Sequence, residues 1–256
     1  MSDWRLTGKS FAVHRSRSVE GLGIGLRIRV RLAYVSATVS FGRGVMETGN
    51  PQGFEDRRVS EATHDGVPAR VVQGARGFTA GAGDLWGAVT DVERIPRWFL
   101  PISGELALGG RYQLEGNAGG TITRCDRPDG FDVTWEFAGQ VSWVAVGLEP
   151  DGDGARLTLR HIMPKDEAGE AHWAQYGPGA TGVGWDLACC GLALHLARGG
   201  GRVDRSESDA WLASAAGKDF VRRCARDWSE AHIAAGEAPD TARAMAGETA
   251  RFYTGG

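Results

Sequence analysis

The sequence predicts an α+β fold in which an antiparallel sheet is covered by one long apolar helix. From residue 70 onward, short segments of alternating polarity follow one another, separated by turn signals. Val133, Trp135 and Phe137 alternate with Asp132, Thr134 and Glu136, while Leu157, Leu159, His161 and Met163 share a face opposite Arg156, Thr158 and Arg160. A sheet with one such apolar face must be covered. The segment from Thr181 to Arg198 supplies the cover, because Val183, Leu187, Cys190 and Leu194 form one helical stripe and Trp185, Cys189, Leu192 and Leu196 a second beside it. A helix apolar over most of its circumference packs on more than one side.

The elements follow in chain order. Residues 1–45 carry eight Lys/Arg against two Asp/Glu, net +6, and the remainder is net −9, for the overall −3. Within this basic block, Leu26, Ile28, Val30 and Leu32 alternate with Arg27, Arg29 and Arg31, a strand pattern with a cationic face. Basic terminal blocks are commonly disordered tails, so a poorly ordered extension, with Met46 as an alternative start, is preferred to a basic arm contacting an acidic surface. Residues 1–69 are therefore read as extension and linker, with Gly49, Pro51, Gly53, Gly66 and Pro68 punctuating the end.

Arg70–Phe78 is expected as a strand, Asp84–Thr90 as a short helix, and Val92–Phe99 as a second helix broken by Pro96. Glu105–Leu108 and Arg111–Glu115 flank Gly109-Gly110 and read as a hairpin. Thr121–Cys125, Phe131–Phe137, Val141–Leu148 and Ala155–Met163 continue an antiparallel meander, closing a domain over residues 70–200. Beyond Gly199-Gly200-Gly201, helices are expected near 206–214, 218–235 and 240–253, with Ser206 and Asp209 as a capping pair and Pro239 in a first turn. Phe220, Cys224, Trp228 and Ile233 give these helices an apolar face, so residues 201–256 are an extension packed on the domain.

Composition excludes several classes. The mildly acidic average gives no reason to expect nucleic acid. No apolar run approaches the ~18 residues of a membrane span, and arginines interrupt any signal-like stretch, so no membrane is expected and the cytoplasm is the expected location. Cys125, Cys189, Cys190 and Cys224 lack zinc or disulfide spacing and read as free thiols; no metal or cofactor is implied. Gly177, Gly179 and Gly182 fit G-x-G-x-x-G but follow an aromatic loop, His172 to Tyr176, rather than a strand. A tight turn and close helix approach to the sheet account for them better than a dinucleotide site.

With these pieces in order, residues 76–200 resemble bacterial members of the SRPBCC (START/Bet v 1-like) superfamily, in the branch related to the C-terminal domain of the activator of Hsp90 ATPase. The resemblance is carried by Leu85-Trp86, Arg97-Trp98-Phe99, Gly104 with Leu108-Gly109-Gly110-Arg111-Tyr112, Thr134-Trp135-Glu136, Leu157 to His161, Tyr176 to Gly179, and Gly184-Trp185-Asp186. It implies a helix-grip fold around an internal cavity that binds a small apolar or amphipathic ligand, with no reaction required. The activating N-x-N-N-W-H-W motif of the eukaryotic co-chaperone is absent, so an Hsp90-type chaperone is not expected as a partner. The alternatives are a cyclase/aromatase-like enzyme using the same cavity and a co-chaperone-like or self-associating protein, including a homodimer through the C-terminal helices.

The residues expected in the cavity wall are Trp98, Trp135, His161 and Trp185. Large rings can line a pocket while offering a donor, although core packing is their commoner fate. His161 is the single candidate for proton transfer; a satisfied buried histidine is the competing and preferred reading. Asp186 is read as an acid favoured by the helix N-terminus, in preference to a carboxylate at the cavity mouth.

Overall fold

The structure is a computed structural model that describes residues 52–255 of the 256. The expectations for residues 1–45, including the Arg27–Arg31 strand pattern, lie outside the described residues.

Eight antiparallel strands form one sheet: β1 (Asp56–His64), β2 (Val67–Phe78), β3 (Ile102–Gly104), β4 (Arg111–Leu114), β5 (Gly119–Asp126), β6 (Gly130–Phe137), β7 (Gln140–Asp151) and β8 (Gly154–Pro164). The spatial order is β1-β2-β8-β7-β6-β5-β4-β3, so the meander β3 to β8 is joined at its last strand to β2. Two-residue turns set the register: His64 pairs with Val67 across Asp65-Gly66, and Phe137 with Gln140 across Ala138-Gly139. Both central residues of each turn have positive φ, the geometry that matches the right-handed twist of the flanking strands.

Among the described residues there are also six helices: α1 (Ala82–Thr90), α2 (Glu167–Tyr176), α3 (Gly179–Ala197), α4 (Arg205–Ala213), α5 (Ala215–Ala234) and α6 (Pro239–Thr254), with a 3₁₀ turn at Ile95–Arg97. The Pro96 break confines the expected second helix to that turn. Side chains cap α2 and α5, where Asp166 accepts from the Gly169 N–H at 2.7 Å and Ser214 from the Gly217 N–H at 3.2 Å. The helix α6 starts at Pro239, where a missing N–H costs nothing. At α4 the cap is Asp204, accepting from Ser206 and Glu207 backbone N–H groups, instead of the expected Ser206 and Asp209 pair.

Four expectations need correction. Residues 56–64, read as linker, are the edge strand β1; polar residues on both faces hid it, although Asp65-Gly66 is a hairpin signal. Glu105–Leu108 is a loop, and Ile102–Gly104 is the partner of β4, because Gly104 at φ 111° turns the chain and Leu108 is 66% exposed. His172–Tyr176 belongs to the helix α2. Finally, α3 is long and apolar enough by composition to cross a membrane, but it is buried, with the sheet on one side and α5 and α6 packed against it.

Candidate functional site

The cavity lies between the inner face of the sheet and α3, with α1 and the 3₁₀ turn closing one side. It measures about 380 Å³, within the lower part of the range of small-molecule pockets. Its floor comes from inward positions of the sheet, such as Val133, Trp135, Val144, Leu157 and Leu159, which alternate along their strands as the sequence requires. Trp185, Ala188, Cys189 and Leu192 of α3 form the roof, on the stripe of the helix that faces the sheet.

Trp98, Trp135 and Trp185 all line this cavity, and His161 does not. The rings form a run in which Trp98 stacks on Phe99 at 5.4 Å, Phe99 on Trp185 at 6.4 Å, and Trp185 meets Trp135 edge-on at 5.2 Å. These offset and edge-on contacts suit the ring quadrupoles and fix the wall.

His161 sits behind that wall with 0% exposure. The Trp185 indole N–H can only donate, so Nδ1 of His161 accepts it at 3.0 Å and the ring proton resides on Nε2. Nε2 then donates to Ser142 Oγ at 2.8 Å, and Ser142 donates to the Trp135 carbonyl at 3.3 Å. Burial, with a smaller contribution from His172, pushes the His161 pKa down to about 3. The ring is neutral and occupied at both nitrogens, so it orients the two tryptophans and presents no nitrogen to the cavity.

The other polar groups inside the wall are similarly engaged. Trp98 Nε1 donates to the Ala88 carbonyl at 2.9 Å and Tyr112 Oη to the Thr134 carbonyl at 2.8 Å. Burial pushes the Cys189 thiol up to about 12, which keeps it protonated and weakly nucleophilic. The interior offers dispersion and apolar burial, and no group ready to exchange a proton.

The polar cluster that sequence reasoning missed lies on the far side of α3. Asp186, fully buried, accepts from the Phe54 backbone N–H at 2.7 Å, from Arg57 Nη2 at 2.9 Å and from Trp228 Nε1 at 2.7 Å. It stands two turns inside α3, so neither a helix-start role nor a place at the cavity mouth applies. Desolvation raises its pKa, and the opposing charge of Arg57 and the three donors favour the carboxylate. The cluster clips β1 and α5 to α3, and Gly53 is required beside it because any Cβ there would strike the carboxylate. Gly182 is similarly required, since a Cβ would meet Trp228 of α5; the close approach expected for this glycine is to the C-terminal helices and not to the sheet.

Residues 79–197 match the family described as activator of Hsp90 ATPase homolog 1-like protein. The solution structure of CalU16 from Micromonospora echinospora matches with 26% identity and a TM-score of 0.59, covering 74% of this chain and 99% of that one. Residues 79–197 are thus similar to AHSA1-like domains of the SRPBCC type. The crystal structure of CalU16 is 27% identical with a TM-score of 0.47, covering 65% of this chain and 97% of that one. An Hsp90 activator from Plasmodium falciparum is 22% identical with a TM-score of 0.34, covering 38% of this chain and 75% of that one. No curated protein matches the chain. The AHSA1-like match ends at the last residue of α3, so α4 to α6 lie beyond it, while the cavity-lining segments from α1 to α3 lie within it.

Proposed function

We propose that the AHSA1-like domain holds a small apolar or amphipathic molecule in the cavity between the sheet and α3. The supporting observation is a space of about 380 Å³ walled by aliphatic and aromatic side chains whose polar atoms are already hydrogen-bonded within the protein. An apolar molecule entering it takes no hydrogen bond away from the wall and gains the usual ~25 cal/mol per Å² of apolar surface removed from water. A polar molecule would lose its hydration without replacement.

A cyclase/aromatase-like reaction is less well supported. It needs a proton-transfer group at the substrate, and the one candidate, His161, is neutral and engaged at both nitrogens behind the wall. The proposed partner is thus a small hydrophobic ligand.

Titration with 1-octanol and 1-decanol, followed by tryptophan fluorescence, tests the proposal because three tryptophans line the site. Two further methylenes at ~0.8 kcal/mol each predict roughly tenfold tighter binding of decanol. Replacing Ala188 by Trp puts a further indole into the space and is expected to weaken binding at least about tenfold. Equal affinity for the two alcohols, or binding untouched in A188W, would overturn the proposal.

A further inference from the structure

The cavity is apolar throughout except at its rim. Among the described residues that line it, Arg127 in the β5–β6 turn is the one charged side chain, and it is exposed. The neighbouring charges are arranged so that Arg127 is left over. Arg124 pairs with both Asp126 and Asp132, whereas Arg127 has no ion pair or hydrogen bond with any described residue. Asp129, two residues further on, does not line the cavity. Thr90, also at the rim, donates its hydroxyl back to the Trp86 carbonyl at 2.7 Å.

This layout restricts how a ligand with a polar end can sit. Inside, the donors of Trp98, Tyr112 and Trp185 are directed at protein acceptors, so a head group there would be desolvated without a partner. At the rim, a head group stays partly hydrated and meets a guanidinium that has no partner among the described residues, a group matched to carboxylate or another oxyanion. A cationic head would face Arg127 directly.

We infer that the ligand is an amphipathic anion, its apolar body within the cavity and its oxyanion head at the mouth against Arg127. The inference rests on the cavity being the binding site, as proposed above, and adds the sign and position of the charge.

The test compares decanoate, 1-decanol and decylammonium on the full chain and on Arg127→Gln. The native protein is expected to bind decanoate about fivefold to tenfold more tightly than decanol, and decylammonium least. R127Q is expected to remove the advantage of decanoate over decanol; Arg127→Lys should keep part of it, since the charge remains without the fork. Because Arg127 is exposed, the variant folds normally, which thermal unfolding verifies. If decanol and decanoate bind equally and R127Q alters neither, the anionic inference fails while the cavity reading stands. If none of the three binds, the cavity reading itself fails.

Discussion

Trp185 on α3 donates its indole N–H to Nδ1 of His161 on β8 across 3.0 Å, tying the roof of the cavity to its floor. The bond requires a neutral ring, and burial holds the His161 pKa near 3, against an ordinary 6.5. As pH falls below 6.5, the unfolded chain gains a proton that the native state refuses. The stability present above 6.5 is therefore lost progressively down to about pH 3, at up to about 1.4 kcal/mol per unit from this ring. His172, held near 4 by burial, acts in the same direction. Urea unfolding between pH 7 and 5 should show a steep loss in the native protein and a shallower one in His161→Gln; parallel slopes would contradict the assignment.

Asp186 joins three elements through buried bonds, so its removal should be expensive. Asp186→Ala leaves Arg57 and the Trp228 indole facing an empty site and is expected to cost about 3–5 kcal/mol. Asp186→Asn keeps the volume and one acceptor, and should cost less. Hydrogen exchange adds the location: β1 should lose protection before β7 and β8, because β1 meets the rest of the sheet only through β2.

The two required approaches of α3 to α5 and of β1 to α3 predict an asymmetry among glycines. Gly182→Ala forces the Trp228 ring to move and should destabilise the fold by about 1–3 kcal/mol. Gly147→Ala in β7, with nothing within 4 Å of the added carbon, should be nearly neutral. Chemical denaturation of the pair checks this, and equal midpoints would contradict the packing described.

The four thiols separate by environment. Cys125 is exposed at the cavity rim, while Cys189, Cys190 and Cys224 are buried with their thiols pushed up by desolvation. Maleimide should add once, at Cys125, to the folded protein and four times after denaturation. Decanoate should slow the first addition, since its head would sit beside Cys125; an unaffected rate would place the head elsewhere.

Much of the fold was legible because its periodicities are strong. The alternation of Val133 to Phe137 and Leu157 to Met163 marks the inner face and the double stripe on α3 marks the roof, and Trp98, Trp135 and Trp185 line the space between them. What was not legible depends on contacts between distant residues. Alternation placed His161 on the inner side of β8, but only packing could place Trp135 and Trp185 in front of it. Asp186 looked like a helix-start acid because its partners, Phe54, Arg57 and Trp228, lie 132, 129 and 42 residues away. Arg127 is not legible either, since an arginine in a polar turn has no local feature marking the cavity it borders.

The central claim is that a ligand enters the space between the sheet and α3. Intermolecular nuclear Overhauser effects between decanol and the methyl groups of isotope-labelled protein test it most directly. Cross-peaks are expected to Val144, Leu157, Leu159 and Leu192, which line the cavity, and none to Leu108 or Val141, which are exposed outside it. Cross-peaks confined to those exposed side chains, with silence from the cavity methyls, would contradict it.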